Sequence, residues 1–469
     1  MSKAKVAMLV MLLMVLAITG ACSGGGNSGS NHHAGDDGVT NGNNPNGGGN
    51  ADGTQDSAHP PEQQEPTIDL KGEPVKILIW YGEPEPGTQE GDLRIARQKE
   101  VEEKYNTKIE WVKVPWGESI NMLTNAALSG EPVADIVALN IYHAIPAINQ
   151  GLLMPVDDFF DFDDPKWPKR IKEFGSWSGK MYGFTEAVKD SSGLYYNKTL
   201  FKREGLPDPH DLVAQDKWNW DTFLEIARRA TKDTDGDGVP DQWGLTNSSS
   251  ILMRIMIYSN NGKLMDQKDG KWMFTPEDPN MLEALHFFSD LFHKYKVIFP
   301  NDGQDDYGKS QQLFIDGKAA MVTGELWEGA ERKTMTDEQG FVYFPKGPGA
   351  DQYSNTISNF VMWYMPANAK RPKEVAKIWE DLILWDRIEL QKREAAEAQN
   401  VADEKDIEVM MNITDIVQPL YLPLGGALEF VAHGIAVNGE VPETLLETHK
   451  QLAQDTIDSM LNTPIQTAQ

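Results

Sequence analysis

The stretch Ala134-Asp135-Ile136-Val137-Ala138-Leu139 decides the fold when set beside two others, Val75-Lys76-Ile77-Leu78-Ile79-Trp80 and Lys108-Ile109-Glu110-Trp111-Val112-Lys113-Val114. Each is a short β-type run bounded by turn residues. Between them the apolar spacing becomes helical, which predicts helices over about Asp92 to Lys104 and Ser119 to Leu128. Strand alternating with helix signals βαβ units and a parallel sheet, whose ligands sit beyond the carboxyl ends of the strands. The loops at those ends, Trp80 to Glu83, Pro115-Trp116 and Asn140 to His143, then share one rim. The fold class is α/β.

Upstream of the first strand the character of the chain changes. Lys3 and Lys5 precede an apolar run, Val6 to Ile18, too short for a comfortable membrane span, and Thr19-Gly20-Ala21-Cys22 follows. Residues 1–21 are predicted to be a cleaved signal peptide. The small residues before Cys22 resemble a bacterial lipoprotein signal, in which that cysteine is lipidated; the other reading is an ordinary signal with an incidental cysteine. Residues 22–67 are rich in Gly, Ser and Asn without hydrophobic period, as in a flexible tether, and His32-His33 within them reads as spacer. Across 469 residues the formal net charge is -28, which opposes nucleic acid and other polyanions as partners. One cysteine rules out a disulfide scaffold.

Ala134-Asp135-Ile136 is followed by Gly151-Leu152-Leu153-Met154-Pro155-Val156-Asp157-Asp158, then by Gly179 to Phe184, Leu194-Tyr195-Tyr196-Asn197-Lys198, Phe201 to Pro207, Phe314 to Met321 and Phe344 to Pro348. In order and spacing these segments resemble the extracellular solute-binding proteins of ABC importers, in particular the group serving carbohydrate uptake. The resemblance implies a type II periplasmic-binding-protein-like fold: two α/β lobes joined by crossing hinge strands, with an interlobe ligand cleft. It places the first lobe at 68–187 plus 346–390 and the second at 188–345 plus 391–469. Val375 to Ala396 has the spacing of one helix with a packing face, and Pro442 to Leu461 that of a closing helix.

Asp233-Thr234-Asp235-Gly236-Asp237-Gly238-Val239-Pro240-Asp241 carries acids at alternate positions around a glycine. Calcium prefers several carboxylates converging on a tight turn, which assigns Asp233, Asp235, Asp237, the Val239 carbonyl and Asp241 as ligands in a structural role. Gly244 stands where an EF-hand has its closing Glu, and a solvated acidic turn is the alternative.

Sugars present hydroxyl edges and apolar C–H faces, so a cleft that binds them needs flat aromatic rings beside carboxylates and amides. Trp80, Glu83, Trp116, Asn140 and Tyr142 on the rim supply these types, and Trp363 lies near a crossing strand. By the resemblance, Asp190 matches an acidic cleft position, and Glu325 with Trp327 matches an aromatic platform on the second lobe. Trp218 and Trp220 flank a helix start and read as packing. The function implied is a lipid-anchored, monomeric binding subunit that captures an oligosaccharide and delivers it to permease subunits. A surface glycoside hydrolase and a ligand-binding partner of a membrane sensor kinase are the alternatives. No Gly-x-Ser-x-Gly, His-Glu-x-x-His or phosphate-loop motif occurs, so no catalytic residue is assigned.

Overall fold

The structure is a computed structural model and describes residues 68–188, 191–300, 306–356, 360–401, 403–418 and 424–463. All of them belong to the unit Pro66–Gln469. The expected signal peptide, the tether, Cys22 and Asp190 lie outside the described residues.

Two four-stranded sheets organise the chain. The first runs in the order Ile109–Lys113, Val75–Ile79, Ile136–Asn140, Val361–Tyr364; its first three strands are parallel and the last is antiparallel. Ile77 pairs with both Trp111 and Ile136, so the central strand is covered on each side. Its near-continuous apolar run, with Val75, Ile77, Leu78 and Ile79 all buried, fits a strand packed on both faces. The second sheet runs Gln339–Val342, Ser192–Asn197, Ala319–Glu325, Trp243–Thr246. Ser192–Asn197 is antiparallel to both neighbours, and Ala319–Glu325 is parallel to Trp243–Thr246.

Local chemistry sets the helix ends. Gln89–Tyr105 starts earlier than the apolar spacing indicated because Thr88 caps it, its hydroxyl accepting from the Gly91 N–H at 2.9 Å. It stops at Asn106, whose φ of 49° is left-handed. Trp220–Ala230 opens with a capping box between Asn219 and Thr222 and buries Phe223, Ile226, Ala227 and Ala230. Trp218 and Trp220 are core: the Trp218 indole N–H donates to the Tyr343 carbonyl, and Trp220 stacks on Phe287.

The chain passes between the sheets several times. Phe184 bridges to Trp363 on the first sheet, and the next described strand, Ser192–Asn197, belongs to the second. The boundary expected at 346 lies later. The Trp220 N–H donates to the Lys346 carbonyl, the Gly347 N–H donates to the Ser259 carbonyl, and Tyr353 stacks on Tyr343, so 346–356 stays with the second lobe. Within the stretch assigned to the second lobe, Val417 is buried in the first core, and Arg170 donates to the carbonyls of Asp415 and Val417.

The single helix expected over Val375 to Ala396 is also corrected. Pro372–Leu382 ends, Ile383 is extended, a 3₁₀ turn covers Trp385–Arg387, and a second helix spans Ile388–Glu397. The break has a side-chain cause. The Trp385 indole N–H donates to the Glu380 carbonyl at 2.9 Å, an acceptor in the helix's last turn that it shares with the Ile383 N–H at 3.3 Å. Its ring meets Trp167 edge-on at 5.1 Å, while Trp167 stacks parallel to Trp379 at 5.9 Å. Continuing the helix would pull Trp385 out of this aromatic group.

Candidate binding cleft

Most aromatic side chains pack into the cores, and several tryptophans meet at one space between the sheets. A cavity of about 360 Å³ opens between the lobes, within the range of small-molecule sites. The first lobe contributes Trp111, Trp363 and Trp379, and the crossing segment Glu186 to Val188 forms one wall. Facing them are Trp327, the Ile388–Glu397 helix, and Met410 and Met411 of the Glu404–Asn412 helix. The broken helix matters here, because Leu382, Ile383 and Leu384 at the break line the same space.

Polar partners fix the orientation of two rings. The Trp327 indole N–H donates to the Glu325 carboxylate at 2.8 Å, and the Trp111 indole N–H donates to Gln98 at 3.0 Å. With their N–H groups committed inside the protein, these rings present carbon faces, which suits stacking. Gln391 donates to Glu90 at 2.7 Å, linking the Ile388–Glu397 helix to the Gln89–Tyr105 helix across the rim of the cavity. Arg94 donates to the Gly82 carbonyl at 2.8 Å and holds the loop after the first strand.

The rim residues read from the sequence divide into two groups. Trp327 and Trp363 line the cavity, and Glu325 joins them through Trp327. Asn140 donates to the Tyr142 hydroxyl at 3.1 Å. Burial raises that hydroxyl's pKa, the Asn140 bond opposes the rise, and the Glu325 charge adds to it. Burial likewise lowers the neighbouring His143 imidazole, whose ring packs edge-on against Tyr142 at 4.4 Å. Asn140, Tyr142, Trp80, Glu83 and Trp116 are not among the cavity-lining residues. Trp80 packs against the first core, Glu83 pairs with Lys113 at 2.6 Å, and Trp116 is 59% exposed in its loop. Trp111, Trp379, Gln98, Met410 and Met411 line the cavity and are not among the residues the sequence offers for it. Trp111 had a signal, since alternation on Ile109–Lys113 puts it on the face of Ile109.

In the acidic loop Asp233, Asp235 and Asp237 each bring a carboxylate oxygen within 4.8 Å of the others, and all three are exposed. Asp233 accepts from the N–H groups of Gly236 and Gly238, which hold its carboxyl below the usual value. The Asp241 carboxylate instead accepts from the Thr234 N–H at 2.6 Å and from the Thr234 hydroxyl, so it is not part of the gathered three. The Val239 N–H donates to Asp237 at 2.8 Å.

A family profile, that of the bacterial extracellular solute-binding protein, matches residues 90–379. The chain belongs to this family. An uncharacterized ABC transporter extracellular-binding protein of Pyrococcus horikoshii is 25% identical over 326 residues, 68% of this chain and 69% of that one. The maltodextrin-binding protein of Bacillus subtilis is 25% identical over 223 residues, 45% of this chain and 49% of that one. Among solved structures, the maltose/maltodextrin-binding domain of Bdellovibrio bacteriovorus bound to maltotriose aligns with a TM-score of 0.58 at 16% identity, over 83% of this chain and 100% of that one. The GacH receptor of Streptomyces glaucescens aligns with a TM-score of 0.61 at 17% identity, over 84% of this chain and 99% of that one. These likenesses establish the fold of this solute-binding protein as two-lobed.

Proposed function

We propose that this solute-binding protein captures a carbohydrate, an oligosaccharide by preference, between its lobes and hands it to the permease of an ABC importer. One observation carries the reading. Trp363 from the first lobe and Trp327 from the second line one cavity, with the Trp327 N–H turned into the protein so that its ring face is offered. The named binding partners of its relatives support the same class. Ligand contacts on both lobes favour the closed state that a permease recognises.

Thermal-shift and calorimetric screening against maltotriose, mannobiose and a wider saccharide panel, with product analysis of each mixture, tests it. Binding of at least one saccharide without turnover is the expected result. Released smaller sugars would favour a glycoside hydrolase, and a panel without any binder would overturn the carbohydrate reading.

Two further assignments belong to this proposal. Cys22 is the lipid attachment point that holds the protein at the outer face of the cytoplasmic membrane, supported by the basic residues, apolar run and small residues that precede it. Replacing it by serine should release the protein from membranes. The Asp233–Asp241 loop is a structural calcium loop, supported by its three converging carboxylates and the preference of calcium for oxygen ligands.

A further inference from the structure

Trp327 stands on a six-residue 3₁₀ turn, Leu326–Glu331, and the polar groups beneath that turn are buried. Glu328 accepts from the Glu325 N–H at 3.1 Å. Its second oxygen accepts from Arg332 and from Gln311, both at 3.0 Å. Arg332 is 1% exposed; its Nε donates to Gln311 at 2.9 Å, and its guanidinium lies 4.2 Å from the Tyr195 ring centroid and 5.4 Å from that of Phe314. The Tyr195 hydroxyl donates to the Leu326 carbonyl at 2.8 Å and accepts from the Gly329 N–H at 3.2 Å. Core packing alone does not call for such a group, since a buried ion pair often contributes little net stability compared with apolar residues of the same volume. Its members instead grip both ends of the turn that presents Trp327 to the cleft.

We propose that Glu328 and Arg332 are positioning residues for the binding platform, holding the Leu326–Glu331 turn in the one conformation that aims the Trp327 ring into the cavity. This deepens the carbohydrate-capture reading and rests on it for its purpose, although the mechanical claim needs no ligand. Glu328 also makes the platform sensitive to protons. Burial raises its carboxyl to about 7 and the Glu325 charge adds to the rise, against Arg332, the Glu325 N–H and Gln311, which lower it. Tyr307 and Glu331 are the other titratable groups beside this cluster. Protonation removes the charge that Arg332 faces and frees the turn.

The test is ¹⁹F spectroscopy of protein carrying 5-fluorotryptophan at its 13 tryptophans, with the Trp327 resonance assigned by its loss in Trp327→Phe. In wild type that resonance should move between pH 5 and 8 with a midpoint near 7. In Glu328→Gln the movement should disappear, and in Arg332→Met the resonance should broaden or split while those of the core tryptophans hold. His143, whose imidazole pKa is lowered by burial, stands on a different element, so any movement it causes persists in Glu328→Gln, which separates the two sources. A Trp327 resonance that keeps its wild-type position and width in folded Glu328→Gln or Arg332→Met would overturn the positioning role, and one that stays unmoved across this pH range in wild type would overturn its proton sensitivity. Failure of every saccharide to bind would count against the capture reading alone.

Discussion

Replacing Trp327 by alanine is expected to weaken saccharide binding about ten-fold or more while leaving the melting temperature nearly unchanged. The ring is 41% exposed, so its removal leaves little cavity, and an aromatic face contributes about 1 kcal/mol or more beyond area burial when it stacks. Calorimetry on the best saccharide of the panel checks this. Glu328 gives a second outcome at the same scale. Its carboxyl sits near 7 in the folded protein and near 4.5 when unfolded, so between those values the folded chain holds a proton that the unfolded chain has released. Stability should therefore fall as pH rises across that window, and Glu328→Gln should flatten the fall in urea-denaturation midpoints. The acidic loop supplies the third. If calcium occupies Asp233, Asp235 and Asp237, a chelator should lower the melting temperature and Asp235→Asn should abolish that response, whereas equal melting with and without chelator would remove the assignment.

At the scale of elements, Trp385→Phe isolates the cause of the broken helix. The ring that packs against Trp167 is largely kept, but the N–H that occupies the Glu380 carbonyl is lost, at a cost of about 1 kcal/mol in denaturant unfolding. Leu382 to Leu384 line the cavity, so saccharide affinity should change as well. This break also marks how far the sequence can be read. Strands with apolar runs, such as Val75–Ile79, are local statements and fall within a residue or so of expectation, as does the start of Trp220–Ala230 behind its Asn219 cap. The end of Pro372–Leu382 is different, because it depends on Trp167, remote in sequence, and helical spacing alone carries no sign of that partner. The cleft divides on the same ground. Trp327 and Trp363 could be named from motif and position, whereas strand alternation gives only the face on which Trp111 stands and not its partner Gln98 on another element, which holds its indole N–H. Trp80 and Trp116 have the residue type and the loop position a ligand would need, and lie outside the cavity lining all the same.

Taken as a whole molecule, the chain crosses between its sheets at separated points, and this limits how the lobes can move. Phe184 and Trp363 bridge on the first lobe, Ser191 accepts from Asn355 at 3.1 Å, and Asn355–Thr356 pairs with Val417–Gln418. Several strands bound side by side resist twisting more than a single linker would, so the motion they permit is a hinge about their common line. A saccharide touching Trp363 on one side and Trp327 on the other then stabilises the closed arrangement by its differential contacts with the two states. Spin labels at Leu128→Cys and Phe430→Cys, introduced with Cys22→Ser, report this directly. The two side chains are 85% and 55% exposed, Leu128 on a helix of the first lobe and Phe430 on a helix of the second. Adding a saccharide that binds should shift the interlabel distance distribution to one narrower population. The shift should be lost in Trp327→Ala at concentrations that saturate wild type, because the second lobe then lacks the contact that distinguishes closed from open. A distribution identical with and without a bound saccharide would mean that the lobes hold one arrangement throughout, and that recognition by a permease rests on something other than closure.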